Sequence, residues 1–319
     1  MNTVLVTGAD GFVGSFLVKH LLHDANNFVV AAVGPRAKYI VTEDGTRTKY
    51  VPINVTDSAQ ATAIMKKFRP QQVYHLAGIA VTHGVGVQDY MTVNAIGAYN
   101  LAASLLEVCG SDSPFLFVSS SAVYGNALSV DPIEENTELR PRSPYGASKA
   151  AAEAMLWSLF AKGLCLKIAR PFNHTGPGQS RGFVCPDFAW RLRELLRHRA
   201  PTDSYLSFEI DGADNILDFT DVRDVVRAYE DIATLAPKGS VMNVASGKPI
   251  LLREIADILC EVSGASEIVG VRAGSSDASH ERRSEIGSTH RVNSLNGWSP
   301  DISIKRTLSD LWESVSRLH

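Results

Sequence analysis

The sequence predicts an α/β fold: a Rossmann-type doubly wound parallel sheet with a smaller α/β lobe. Strand-like and helix-like segments alternate through the first half of the chain. Three glycines stand between the first strand and the first helix, and the second half, rich in Gly, Pro and polar residues over 174–212, is less regular. Such alternation is typical of a parallel sheet with helices on both faces.

The elements follow in order along the chain. In the first half, the apolar patterns predict strands over 3–8, 27–34, 50–54, 71–78, 114–121 and 165–173, and helices over 11–24, 57–68, 88–110 and from Pro144 onward. In the second half we expect a helix near 184–198, a strand over 240–246 that returns to the sheet, helices over 249–264 and 303–318, and a polar loop over 272–291. We therefore assign 1–173 and 213–247 to the sheet domain, and 174–212 and 248–319 to the smaller lobe.

Composition excludes several classes of protein. The formal net charge of the 319 residues is 31 − 34 = −3, which does not favour a nucleic-acid partner. Four cysteines lack CxxC spacing, so we predict neither a disulfide framework nor a metal site; they are Cys109, Cys165, Cys185 and Cys260. The sequence opens on a strand pattern and has no apolar stretch of membrane-spanning length. We expect a cytoplasmic protein without a membrane partner.

The segment VTGADGFVG places Gly8, Gly11 and Gly14 where the first strand turns into the first helix. Gly8 permits a tight turn, Gly11 lets the backbone approach a pyrophosphate, and Gly14 lets the helix pack closely on the sheet. The helix N-terminus offers free N–H groups and partial positive charge to phosphates. A glycine triplet in this context predicts that the sheet domain binds a dinucleotide.

The second strand indicates which dinucleotide is bound. It ends in AAVGPRAK, with no acidic residue to accept the hydrogen bond of a ribose 2′-hydroxyl, and Arg36 and Lys38 follow. A cation there suits a 2′-phosphate, so the sequence favours NADP(H) and leaves NAD(H) open.

A tyrosine and a lysine, Tyr145 and Lys149, lie four residues apart at the start of the predicted helix after Pro144. That spacing puts both side chains on one helix face. Ser119, Ser120 and Ser121 end the fifth strand, and the carboxyl ends of parallel strands form the active-site edge of such sheets. The sequence therefore predicts that these polar side chains meet beside the nucleotide.

This YxxxK pair, the preceding serine and the glycine triplet together resemble the extended short-chain dehydrogenase/reductase family. The resemblance covers almost the whole chain, because further motifs follow in that family's order and spacing. They are NVTD, HLAG, VNAIGAYN, ARPFNHTGPGQ, DFTDVRDVVRAY, NVASGKPI and GWSPDISIKRTLSDL.

The resemblance implies catalytic roles for three residues. Tyr145 would exchange a proton with a carbonyl or hydroxyl oxygen as hydride moves. Lys149 would lower the pKa of Tyr145 and hydrogen-bond the nicotinamide ribose, because a nearby cation favours a phenolate. Ser120 would hydrogen-bond the substrate oxygen, with Ser119 and Ser121 as neighbouring alternatives.

The resemblance also implies contacts with two ligands. The cofactor contacts, besides the three glycines, Arg36, Tyr145 and Lys149, would be Asp10, Phe12, Val13, Asn54, Val55, Leu76, Ala77, Gly78, Asn94 and Pro171. A nucleotide sugar would lie in the smaller lobe, against Ser121, Asn173, Phe183 and Val184. Asn173 is the candidate contact for its diphosphate.

The residue that follows Ser121 narrows the choice of reactions that the enzyme could catalyse. Dehydratases of this family carry an acidic residue there, and the epimerase–reductases that act on two carbons carry a cysteine. Ala122 can exchange no proton, which leaves reduction of a 4-ketone or epimerisation at C4. The segment 169–192 is similar to family members that reduce GDP-linked 4-keto-6-deoxyhexoses, so reduction is our leading hypothesis and a 4-epimerase with tightly bound NAD is the alternative. A non-catalytic nucleotide-binding regulator is disfavoured because both Tyr145 and Lys149 are present.

Two further expectations complete the prediction. The family commonly has an arginine before the DF of DFTDVRD, where this chain has Leu217, so we expect Arg282 or Arg283 to neutralise the diphosphate.

The segment AAAEAMLWSLF carries more apolar surface than one helix face needs. We therefore expect a homodimer formed by the helix near 88–109 and the helix beginning at Pro144.

Overall fold

Seven parallel strands form the main sheet of the protein. The computed structural model describes residues 1–35, 46–80, 84–125, 131–200, 205–274 and 283–317. The strands of the main sheet are β1 (Asn2–Thr7), β2 (Asn27–Val33), β3 (Thr48–Pro52), β4 (Gln72–His75), β5 (Phe115–Val118), β6 (Leu166–Pro171) and β10 (Ser240–Val244). Their order is β10-β6-β5-β4-β1-β2-β3, and every neighbouring pair is parallel. The chain winds outward in both directions from β1, so a crevice opens at the carboxyl ends of β1 and β4.

Helices cover both faces of this sheet. One face carries α1 (Phe12–Leu21), α7 (Val222–Leu235) and α9 (His290–Asn296), which pack one apolar cluster. The other carries α2 (Ser58–Phe68), α4 (Gly97–Cys109) and α5 (Pro144–Phe160), which pack a second. A short helix, α3 (Val87–Tyr90), and a π-helical stretch (Met91–Ile96) lead directly into α4. No helix among the described residues is long and apolar enough to cross a lipid bilayer.

A smaller unit of strands and helices stands beside the carboxyl edge of the main sheet. One sheet has the order β11-β9-β13, with β7 also pairing with β9; its strands are β7 (Asn173–Thr175), β9 (Ile216–Asp221), β11 (Pro249–Leu251) and β13 (Ser284–Glu285). Strand β8 (Leu206–Ile210) pairs in parallel with β12 (Val269–Ala273). Three helices, α6 (Val184–Arg197), α8 (Leu252–Val262) and α10 (Ile304–Ser316), join them in a third apolar cluster.

The structure confirms the predicted fold class and corrects two elements. The helix predicted over 249–264 begins at Leu252, because Pro249–Leu251 pairs antiparallel with β9. The loop predicted over 272–291 includes the end of β12, strand β13 and the start of α9 at His290. The strands that were missed, β11, β12 and β13, have two to five residues, which leave too short an apolar pattern to read. Part of that loop, 275–282, lies outside the described residues.

The predicted division into two domains stays a prediction. Segment 213–247 contributes α7 and β10 to the main sheet and its helices, while β9, from the same segment, pairs with β7, β11 and β13. Helix α9 packs on the main-sheet side with α7, although the sequence assigned it to the smaller lobe.

Asp218 of β9 ties the smaller unit to the main sheet. One carboxylate oxygen accepts from the Ser246 amide and hydroxyl at 2.7 and 2.6 Å, and the other accepts from the amides of Gly247 and Gly287 at 2.8 and 3.3 Å. Ser246 and Gly247 follow β10, and Gly287 follows β13. The side chain is buried, so these donors replace the water that the carboxylate loses.

We expect Asp218→Asn to lower the free energy of unfolding by about 2 kcal/mol, because an amide turns an N–H toward buried amide donors. Urea denaturation at neutral pH measures the change. Glu313→Gln is the control; it removes an exposed pair with Arg317 and should cost at most about 0.5 kcal/mol. Equal stability of Asp218→Asn and the wild-type protein would contradict this role.

Candidate active site

A crevice of ≈ 560 Å³ opens at the carboxyl ends of β1, β4, β5 and β6. That volume is within the range of small-molecule sites. The glycine turn after β1 lines one side, and the start of α5 lines the other. Residues from β7, β9, β13 and the start of α6 complete the wall on the side of the smaller unit.

The glycine turn has the shape that a dinucleotide requires. Gly8 adopts φ +69°, which only glycine adopts without strain, and a Cβ on Gly14 would lie 2.0 Å from the Gly8 carbonyl oxygen. Gly11 is the N-cap residue of α1 and has no side chain to accept a hydrogen bond. The N–H groups of the first turn therefore face the crevice without a capping partner. Gly8, Gly11, Phe12, Val13 and Gly14 all line the crevice. These residues fit the pyrophosphate of a nicotinamide dinucleotide.

The other predicted cofactor residues divide into two groups. Leu76, Gly78 and Pro171 line the crevice, whereas Asp10, Asn54, Val55, Ala77 and Asn94 do not. Arg36 lies outside the described residues.

Asn94 supports the crevice wall from behind. Its Oδ1 accepts from the Ile79 amide at 2.7 Å, and its Nδ2 donates to the Ile79 carbonyl at 3.1 Å and to the Ser148 hydroxyl at 2.9 Å. The side chain is fully buried. Asn94 therefore shapes the loop that follows Gly78, with its polar atoms already engaged by the protein.

Helix α5 begins where it does because Ser143 caps it and Pro144 suits its first position. This start places Tyr145 in the first turn and Lys149 one turn later. Ser120 follows β5 and lies near enough to Tyr145 to lower the pKa of its phenol, and the Lys149 ammonium donates to the Val118 carbonyl at 2.8 Å. The structure thus brings together the three side chains predicted to be catalytic.

The three adjacent serines have different surroundings. Ser119 is buried and donates to the Glu153 carboxylate at 2.5 Å. Ser120 accepts from the Ala122 amide at 3.2 Å and lies beside Tyr145. Ser121 begins a short 3₁₀ turn (Ser121–Val123) and lines the crevice. Of the three serines, Ser120 is thus the one that interacts with the Tyr145 phenol.

Burial shifts the pKa values of Tyr145 and Lys149 in opposite directions. Burial raises the pKa of Tyr145, against the lowering effect of the nearby Ser120 hydroxyl. The predicted lowering of the Tyr145 pKa by Lys149 stays a prediction. Burial lowers the pKa of Lys149 to about 8, against the raising effect of the Glu153 carboxylate.

The predicted substrate residues mostly line the smaller unit's side of the crevice. Ser121, Asn173, Phe183 and Val184 are all in its wall. The Asn173 Nδ2 is buried without a hydrogen-bond partner among the described residues. An unpaired donor in a crevice wall suits an acceptor on a ligand, such as a phosphate oxygen.

The predicted arginine is not part of this wall. Arg283 is exposed and outside the lining, with its backbone amide bonded to Asn215, and Arg282 lies outside the described residues. Glu285, two positions further, lines the crevice instead, and burial raises its pKa. Glu285 belongs to β13, which pairs with β9, whereas Arg283 precedes that strand.

Several lining residues escaped the sequence prediction. The crevice wall beside Asn173 also includes His174, Thr175, Gln179 and Cys185. The crevice is further lined by Phe219 and Tyr229. Burial lowers the pKa of His174 and raises that of Cys185 to about 12, so these two side chains are neutral at physiological pH. Proximity to Asn173 in the sequence could have indicated the first group, whereas Tyr229 and Glu285 reach the crevice only through tertiary packing.

Comparison with known proteins gives concordant matches. The sequence model described as "NAD dependent epimerase/dehydratase family" matches residues 4–245. A GDP-6-deoxy-D-mannose reductase from Pseudomonas aeruginosa is 32% identical over 98% of both chains. A UDP-glucose 4-epimerase from Mycolicibacterium smegmatis is 30% identical over 94% of both chains. The structure of RMD from P. aeruginosa complexed with NADPH has a TM-score of 0.79 and 27% identity, and the match covers 99% of both chains.

We expect Gly14→Ala to weaken the binding of NADPH and NADH by at least about tenfold, because the new Cβ would push α1 away from the Gly8 carbonyl. Titration of cofactor fluorescence measures both dissociation constants. Gly86→Ala is the matched control, since a Cβ there meets only an ordinary contact with Asp89. Unchanged binding by Gly14→Ala would contradict the assignment of the glycine turn.

Proposed function

Since the chain belongs to the NAD-dependent epimerase/dehydratase family, whose members are NAD(P)-dependent enzymes, we propose that it reduces the C4 ketone of a nucleotide-linked 4-keto-6-deoxyhexose. GDP-4-keto-6-deoxy-D-mannose is the favoured substrate, and NADP(H) the favoured cofactor. The P. aeruginosa reductase, similar over 98% of both chains, supports this choice, as does the NADPH complex of RMD.

The observation that carries the proposal is the set of side chains around Tyr145. The Ser120 hydroxyl lies beside the Tyr145 phenol, and Ala122 lines the same crevice without a proton to exchange. Reduction of a ketone needs one hydride and one proton. One positioned phenol meets that need, whereas removal of a proton from a sugar carbon needs a further base.

In this proposal each residue has one task. A bound nicotinamide dinucleotide supplies the hydride to C4. Tyr145 donates its phenolic proton to O4, so the ketone becomes a secondary alcohol, and Ser120 hydrogen-bonds the same oxygen. The Lys149 ammonium stabilises the phenolate that Tyr145 becomes. Asn173 hydrogen-bonds the substrate diphosphate, and Phe183 and Val184 border the nucleotide.

The alternative is a nucleotide-sugar 4-epimerase with tightly bound NAD. The M. smegmatis 4-epimerase, 30% identical over 94% of both chains, is the observation that favours it. An epimerase returns its hydride to the same sugar, so it consumes no cofactor. A reductase consumes one NADPH for each product molecule.

The decisive experiment incubates the purified protein with GDP-4-keto-6-deoxy-D-mannose and NADPH or NADH, with the product identified by NMR. Stoichiometric oxidation of NADPH and a single 4-hydroxy product are expected. Interconversion of UDP-glucose and UDP-galactose by protein that retains NAD, without net cofactor oxidation, would overturn the reductase proposal in favour of the epimerase.

Tyr145→Phe should lower kcat for this reduction by about 10²- to 10⁴-fold, because it removes the proton donor and leaves the ring in place. Steady-state kinetics with a parallel titration of NADPH binding separate turnover from cofactor affinity. Tyr99→Phe is the control, since Tyr99 packs against the core away from the crevice. Full turnover by Tyr145→Phe would require a different acid.

We also infer a homodimer through the helices that begin near 88 and at Pro144. Val87, Met91 and Ile96 are exposed apolar side chains along the first of these segments, which supports burial against a second copy. Light scattering should give twice the chain mass, and the double variant Met91→Lys/Ile96→Lys should give the mass of one chain. A wild-type monomer at micromolar concentration would contradict the inference.

A further inference from the structure

Helix α5 carries a third polar residue on the face that holds Tyr145 and Lys149. Glu153 follows Lys149 by four positions, so all three side chains lie on one stripe of the helix. Three consecutive residues of the β5 end meet them. Ser120 lies beside Tyr145, the Val118 carbonyl accepts from Lys149, and Ser119 donates to Glu153 at 2.5 Å.

Glu153 is held in place from its other side by Arg170 of β6. The guanidinium donates to both carboxylate oxygens, at 3.0 and 2.6 Å, and both side chains are almost fully buried. Arg170 also donates to the Tyr124 hydroxyl at 3.0 Å and to the Glu135 carbonyl at 3.1 Å. A bidentate pair with these additional bonds has little freedom to move.

Several titratable groups face Lys149. On α5 these are Tyr145 and Glu153; on β4 it is His75, whose pKa burial lowers to about 3, so that the ring is neutral. From β6, Arg170 faces the same region but is paired with Glu153, and the Tyr90 ring of α3 contacts Tyr145. Of these, Glu153 is the anion that raises the pKa of Lys149 against the effect of burial.

We propose that Glu153, held by Arg170, is a positioning residue that keeps the buried Lys149 protonated and fixes the end of β5 beside Tyr145. The inference rests on the proposed roles of Tyr145 and Lys149 and adds a residue that touches neither substrate nor cofactor. The Glu153 carboxylate thereby affects both the charge of Lys149 and the position of the strand end that carries Ser120.

The test compares variants that separate charge from packing. Glu153→Gln alone leaves the buried Arg170 without its partner and risks unfolding, so Glu153→Gln/Arg170→Met, which removes both charges, is the main variant. Glu135→Gln is the matched control. Glu135 is also a buried carboxylate of this network, accepts from the Asn243 amide at 2.8 Å and pairs with Arg291 at 3.2 Å.

The Lys149 pKa is measured by NMR titration of ¹³Cε-labelled lysine, with the signal identified by its loss in Lys149→Arg. We expect the double variant to lower this pKa by about one unit and the control to leave it unchanged. An unchanged pKa in the double variant, or an equal fall in the control, would overturn the proposal. This titration needs no substrate. It therefore tests the role of Glu153 even if the protein does not reduce a 4-ketone.

Turnover gives a second readout. Reduction requires the ammonium, so its rate falls as pH rises through the Lys149 pKa, and the double variant should shift this alkaline limb of kcat to lower pH by the same amount. Ser119→Ala keeps the ion pair and removes only the link to β5; it should lower kcat roughly fivefold with the limb unmoved. An unmoved limb in the double variant or unchanged kcat in Ser119→Ala would count against the proposal.

Discussion

The contact between helix α5 and the carboxyl end of β5 holds the proposed catalytic side chains together. Reduction of a ketone by hydride needs a positioned proton donor for the carbonyl oxygen. In the proposed site the donor and the cation come from one helix face and the hydroxyl from the adjoining strand end. The same contact buries Glu153 against Arg170, so the packing that positions the site also carries a charged pair that is costly to break.

The second structural constraint is the close approach of α1 to the turn after β1. Gly14 and the Gly8 carbonyl leave no room for a Cβ between them, and the first turn of α1 therefore faces the crevice. The glycine turn and the tyrosine–lysine helix stand on opposite sides of one opening. The substrate side is closed by strands tied to the main sheet through Asp218, so the crevice depends on contacts between distant parts of the chain.

The sequence predicted the main sheet well because its strands are apolar runs and its helices have clear periodicity. It did less well in the second half, where Pro249–Leu251 and Ser284–Glu285 are strands only by virtue of pairing with β9. The same limit applies to the substrate wall. The sequence indicated Arg282 or Arg283, yet Glu285 lines the crevice and Arg283 does not, because the position of this segment depends on the pairing of β13 with β9.

The sequence by itself determined the fold class, the glycine turn and the spacing of Tyr145, Lys149 and Glu153, since these depend on local periodicity and on the backbone freedom of glycine. Only the tertiary structure decided which of three adjacent serines meets Tyr145, which residues wall the substrate side, and how burial sets the charge of Lys149. Those properties arise from groups far apart in the chain, such as Ser119 with Glu153 and Glu153 with Arg170. Desolvation and hydrogen bonding act through space, so no spacing along the sequence records them.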